Sequence, residues 1–308
     1  MKHIDWMVKA SCIGLVLAVM AGCASTPTAK DHDYSDLYSG KSKLTFSTLM
    51  PLDSAAEGIT RGDAAAARGD LDQAIFEYLR ALELEPDNAE SFYKIGVLNL
   101  RKQELTKALT AFQMAAKNDP NHAGALEGMG LVLMQMRQPE RARILLERAI
   151  ELDPKRGQSH NALGILADLR GDFDEAVKHY DAALMLSPLS ARLQNNLGYS
   201  HYLAGHWDQA EQSYLSALNA DPGHKRAWLN LGQLYTREER YDEALEVLTE
   251  VVPTAEAYNI MGYICMNAEK LDDAKRFFSK AAEASPSYYV TAHENLAQVQ
   301  RLLAQRNP

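Results

Sequence analysis

Asparagine, tyrosine and arginine recur at helical spacing through the middle of this chain, and their chemistry is that of gripping. Arg192, Asn195, Tyr199 and Tyr202 fall three or four residues apart and so share one helix face. Arg226, Gln233 and Arg237 continue the pattern in the next stretch, Asn259 and Tyr263 in the one after, and Asn161 precedes them. Asn196 stands beside Asn195. An amide side chain carries a donor and an acceptor together, which suits a peptide group. Tyrosine offers a large ring at low entropic cost, and arginine pairs with carboxylates. These eleven residues are candidates for a groove that holds a segment of another protein.

Bond-breaking chemistry has no comparable pattern. No phosphate loop, zinc-protease helix or nucleophile elbow occurs. The nearest acids, Asp168 and Glu256, fall in different stretches, so no pair of activated groups is expected. His201 and His206 are five apart, wrong for a metal pair on one helix face. Cys12, Cys23 and Cys265 suggest neither a metal site nor a disulfide framework, and Cys265 reads as a buried thiol. We therefore expect no enzyme, cofactor or metal. The formal charge of −9 leaves no basic surplus for nucleic acid.

A repeat positions the candidate residues. Pro86, Pro120, Pro154, Pro188 and Pro222 fall 34 residues apart. Gly62, Gly96, Gly130, Gly164, Gly198 and Gly232 run in step, as do Ala74, Ala108, Ala142, Ala176, Ala210 and Ala244. Each block reads as two amphipathic helices, A and B, with the small residues letting them approach. Numbering each helix A by places, the fourth, seventh, eighth and eleventh form the core stripe. The second, fifth, ninth, twelfth and thirteenth face a groove. Asn196 and Asn230, at the sixth place, read as scaffold. Trp207 and Trp228 fall at core places.

The blocks resemble tetratricopeptide repeats over residues 55–286. Phe92, Ile95, Gly96 and Asn99, then Ala108, Phe112 and Ala115, then Pro120, carry the resemblance clearly. It implies an all-α fold, a right-handed superhelical solenoid of about seven helix-turn-helix units, with residues 287–308 as capping helix and tail. Two departures stand out. The first block has a weak helix A around Arg61, Gly62 and Ala65, which reads as a frayed cap. Gly262 follows Gly232 by only 30 residues, so the sixth unit is about one helical turn short, with a packing change near Val251–Ala255.

The amino terminus has Lys2 and Lys9, an apolar run from Ala10 to Ala21, then Met20-Ala21-Gly22-Cys23. This resembles the signal and lipobox of bacterial lipoproteins. It implies removal of residues 1–22, lipid on Cys23 and, with Ala24 following, an outer-membrane anchor facing the periplasm. Residues 23–54 read as a lipidated flexible tether.

Asn161-Ala162-Leu163-Gly164 with Gly171, Asn195-Asn196-Leu197-Gly198-Tyr199-Ser200, and Asn259-Ile260-Met261-Gly262-Tyr263 after a short unit resemble TadD-type lipoproteins of tight-adherence (Flp) pilus systems. That resemblance implies a non-enzymatic scaffold for pilus assembly whose partner is an outer-membrane secretin or pilus component. A type IV pilus secretin pilotin and an adaptor for peptidoglycan hydrolases are the competing families. Joint replacement of Asn195, Tyr199 and Arg226 is expected to abolish partner capture with the fold intact.

Overall fold

The computed structural model describes Tyr34, Leu37 and residues 51–285, 287 and 289–306. Those residues form fifteen helices and no strand. Seven pairs follow in order: α1 (Ala55–Ala67) with α2 (Leu71–Leu84), α3 (Ala89–Arg101) with α4 (Leu105–Asn118), and α5 (Ala123–Gln135) with α6 (Pro139–Leu152). Then come α7 (Gly157–Arg170) with α8 (Phe173–Leu186), α9 (Ala191–Leu203) with α10 (Trp207–Ala220), α11 (Lys225–Arg237) with α12 (Tyr241–Thr249), and α13 (Thr254–Asn267) with α14 (Leu271–Ala284). The last helix, α15 (Val290–Arg306), packs on α14 and touches α13. The fifteen described helices form a superhelical solenoid.

One contact recurs in every pair. A Cβ placed on Gly62, Gly96, Gly164, Gly198 or Gly262 would lie 2.3–2.7 Å from the ring of Tyr78, Phe112, Tyr180, Tyr214 or Phe278 respectively. On Gly130 and Gly232 it would meet Leu146 at 2.6 Å and Leu248 at 2.4 Å. In each case the side chain sits sixteen residues downstream on helix B. The six alanines of the sequence pattern and Ala274 are fully buried on that helix. A glycine in a helix interior costs about 1 kcal/mol, while burying an aromatic or leucine side chain contributes about 1.5–3 kcal/mol. Close contact therefore wins in each unit.

The turn inside each unit is also fixed. Gly69, Gly171 and Gly205 take positive φ, and so do Gln103, Arg137, Glu239 and Glu269, at 62°, 58°, 64° and 60°. The left-handed turn is thus kept even where glycine is not. Between units, Glu85, Asp119, Asp153, Ser187 and Asp221 cap helix B, and the periodic prolines follow directly. A proline there cannot continue the helix.

Across units, helices A pack on one another (α3 with α5, α5 with α7, α7 with α9, α9 with α11), while helices B make no comparable contact with each other. Helices A therefore line the inner, concave side. As expected, α12 is short, at 9 residues against 14 in the other helices B, and Pro253 caps α13. Cys265 is buried, and burial pushes its thiol up to about 11.

Three expectations are corrected. Helix α1 is not frayed: it has 13 residues, Ser54 caps it by accepting from the Glu57 amide at 3.2 Å, and Tyr78 fills the space above Gly62. Tyr34 and Leu37 lie in the segment expected to be a free tether, yet both join the first core. Leu37 is 3% exposed, its carbonyl accepts from Asn99 Nδ2 at 3.0 Å, and Tyr34 meets Phe92 edge-on. The rest of residues 23–50 lies outside the described residues, as do the signal segment, Cys23 and Pro286. Trp207 is 37% exposed, because it opens α10 at the rim of the turn, where only one side can pack. Trp228 does pack against the core, and its indole N–H donates to the Pro222 carbonyl at 2.9 Å.

Gly164→Ala is expected to lower stability by about 1–3 kcal/mol through overpacking against Tyr180. Combining it with Tyr180→Ala should be less than additive in a denaturation double-mutant cycle. Full additivity would show that the two groups do not share this contact.

Candidate functional site

The eleven groove candidates divide into two kinds. Asn161 and Asn195 are buried, at 6% and 2% exposure, and their amides serve neighbouring helices. Asn196 Nδ2 donates to Asn161 Oδ1 at 2.9 Å, and Asn230 Nδ2 donates to Asn195 Oδ1 at 2.9 Å. Asn195 Nδ2 in turn points at Asn196 Oδ1 at 3.5 Å. The result is an amide ladder running from α7 through α9 to α11. Asn259 accepts from Asn295 at 3.0 Å, which ties α15 to α13 in the same way. Asn161 and Asn195 are thus fasteners, and the triple replacement that includes Asn195 would disturb the fold. Thr236, at a groove place, is likewise buried and donates to the Gly232 carbonyl.

The other candidates line two hollows on helices A. One, of about 330 Å³, is bounded by Arg192, Asn196, Tyr199 and Arg226, with Ile165, Asp168, Leu169 and Tyr180. The second, of about 530 Å³, is bounded by Tyr202, Gln233, Arg237, Asn259 and Tyr263 over Leu229, Ile260, Ile264 and Asn267. Tyr199 and Tyr202 stack at 6.3 Å between ring centroids, and Gln233 donates to the Tyr202 hydroxyl at 3.1 Å. Arg192, Tyr199, Arg226, Arg237 and Tyr263 are exposed.

Asp168 lies in the smaller hollow, where burial raises its pKa while the Tyr180 hydroxyl, donating at 2.7 Å, opposes the rise. Glu256 lines neither hollow, so the two acids do not converge. Among the described residues no cluster of three metal-binding side chains occurs.

Sequence reasoning missed a third hollow, of about 350 Å³, in the second and third units. Tyr93, Val97, Leu100 and Leu131 line it, with Phe112 and Glu127. Gly124 and Gly128 of α5 let Tyr93 and Phe112 pack directly against that helix, since a Cβ at either place would strike those rings. The two extra glycines in one helix were the available signal. Glu127 is buried but fully engaged, taking Arg156 at 3.2 Å and both the amide and the hydroxyl of Ser159.

A histidine pair sits away from these hollows. His160 Nδ1 and His179 Nδ1 are 3.2 Å apart, and His160 Nε2 is 3.2 Å from the Pro154 carbonyl. A carbonyl only accepts, so His160 Nε2–H donates there, and its Nδ1 is left to accept from His179. Burial, then the neighbouring His160, holds His179 below its ordinary pKa. His201 is lowered by burial, then by His206.

Tetratricopeptide-repeat family models match residues 62–103, 90–122, 128–191 with 195–259, and 255–288. The chain belongs to the tetratricopeptide-repeat proteins. A search of curated protein sequences returns no match. Among solved structures the chain is similar to a tetratricopeptide repeat protein from Parabacteroides merdae, with 21% identity, TM-score 0.56, and 81% of this chain and 100% of that one covered. It is also similar to PilF of Pseudomonas aeruginosa, at 17% identity and TM-score 0.52, covering 68% and 97%. The Cut9–Hcn1 assembly of the APC/C gives 16% identity and TM-score 0.57, covering 77% and 48%. At these identities the likeness is one of fold. That fold is a protein-interaction scaffold, and its partners are proteins or peptides.

Two outcomes follow. Asn195→Ala should cost about 1–3 kcal/mol by stranding its amide partners, whereas Tyr199→Ala should stay within about 0.5 kcal/mol; urea unfolding of both variants measures the difference. Because the fold holds His179 and His201 below their ordinary pKa, the unfolded chain takes up protons first as pH falls. The contribution of these two histidines to stability should therefore be level above about pH 7 and fall as pH drops through about 6.5. His179→Gln should flatten that fall in the same denaturation assay.

Proposed function

We propose that this chain is a lipid-anchored scaffold that holds a partner segment in the groove of its fourth to seventh units, in the service of building a Flp/Tad-type pilus apparatus. The carrying observation is the row of exposed Arg192, Tyr199, Arg226, Arg237 and Tyr263 along two hollows, beside an amide ladder that keeps them in register. The rigid ladder presets the groove, which reduces the entropy lost on binding. Support for the pilus role comes from the Asn-Asn-Leu-Gly-Tyr-Ser and Asn-Ile-Met-Gly-Tyr segments and the short sixth unit. The anchor reading rests on Met20-Ala21-Gly22-Cys23. No helix among the described residues is long and apolar enough to cross a membrane. Acyl chains on Cys23 would supply attachment through buried methylenes, at about 0.8 kcal/mol each.

Photo-crosslinkers at Tyr199 and Tyr263 in whole cells test the groove. Capture of a secretin or pilus component is the expected result. Capture of a peptidoglycan hydrolase would move the chain to the adaptor class. Capture only from crosslinkers on the helix B face would overturn the groove. Cys23→Ala should abolish palmitate labelling and release the protein from the outer-membrane fraction; continued labelling would overturn the anchor.

A further inference from the structure

Charge along the groove is unevenly settled. In its first three units the acids are matched within the protein. Asp63 accepts from Lys94 at 2.8 Å, Glu90 faces Lys94 at 3.6 Å and His122 at 3.4 Å, and Glu127 is held by Arg156 and Ser159. Farther along, Arg192, Arg226 and Arg237 are exposed, and none forms an ion pair or hydrogen bond among the described residues. Arg143, Arg148, Arg170, Arg240 and Arg276 bridge to acids, while Arg101 in the second unit is exposed and forms no ion pair among the described residues; what sets the later groove apart is that three such cations share one face. Asp168, in the same hollow as Arg192 and Arg226, accepts from Tyr180 through Oδ2, and neither arginine bonds its Oδ1. Glu256, on α13, lines neither hollow. In a chain of formal charge −9, three uncommitted cations on one face run against the bulk.

The larger hollow beside these cations has an apolar bed of Leu229, Ile260 and Ile264, with Arg237 on its wall. Carboxylates and a bulky apolar side chain are the groups this combination complements. A guanidinium takes a carboxylate through two parallel hydrogen bonds, and the apolar bed gains by losing water.

We propose that the groove takes an acidic peptide segment, with carboxylates on Arg192 and Arg226 and a bulky apolar side chain in the hollow over Leu229 and Ile260. The proposal rests on the reading that a partner segment lies in this groove. Arg192 and Arg226 hold equivalent places on neighbouring helices A. Packed helix axes lie about 10 Å apart, which is about three residues of extended chain. The acids should therefore stand about three residues apart.

Fluorescence anisotropy of the full chain with labelled probes of about 15 residues tests this. One probe carries two glutamates three residues apart and then Leu-Phe; a second has lysines for the glutamates; a third has serines for Leu-Phe. The first should bind about tenfold more tightly than either control and weaken as salt rises. Arg192→Gln with Arg226→Gln should erase the preference for glutamate while leaving circular dichroism unchanged. If all probes bind equally and Tyr263→Ala weakens them alike, the groove stands and the acidic assignment falls. Tighter binding of the lysine probe also overturns the assignment, and absence of binding by every probe overturns both.

Discussion

The contact between each helix A glycine and the side chain sixteen residues downstream sets the geometry on which the rest of this molecule depends. It lets two helices approach more closely than any side chain on that glycine would allow, as the 2.3–2.7 Å encounters of a hypothetical Cβ demonstrate. Once the pair is fixed, the direction of helix A is fixed, and with it the face that looks into the groove. A stack built this way has no central core; each unit buries its apolar stripe against its own partner and its neighbours. Precision in the groove is therefore inherited unit by unit.

Landmarks of this kind are legible because they are local and steric. A missing side chain, an alanine at full burial and a proline after a helix end act within one unit, so glycine, alanine and proline spacing was enough to read the pairs. Asn195 was misread for the opposite reason. An amide facing a groove and an amide bonded to the next helix have the same composition and the same helical place; only the partner 35 residues away distinguishes them. Leu37 escaped because its partner, Asn99, is 62 residues distant and its own surroundings carry no periodicity. The positive φ of Arg137 and Glu239 likewise left no mark in residue type, since the turn is imposed by the helices on either side.

The groove combines two functions by place. Fifth- and sixth-place amides tie successive helices A together, from Asn161 to Asn230. The second, ninth and thirteenth places hold Arg192, Arg226, Tyr199, Tyr263 and Arg237, which project beyond that ladder. A buried amide is costly unless every group is paired, so the ladder favours one spacing of neighbouring helices. The projecting side chains are carried at that spacing, and their mutual distances become a property of the fold.

The short sixth unit matters for the same reason. Helix α12 loses about a turn, and α11 and α13 touch more extensively than any other neighbouring pair of helices A among the described residues. With less of helix B between them, successive inner helices close up where the outer side is thinned. Leu229 on α11 and Ile260 and Ile264 on α13 are thereby brought to one apolar bed, with Tyr202 of α9 at its side. A regular 34-residue period would repeat similar shallow hollows along the stack; the local deletion makes this one different, at about 530 Å³ against about 330 Å³ for its neighbour. The irregularity in the repeat and the larger of these two hollows are thus consequences of one change in chain length.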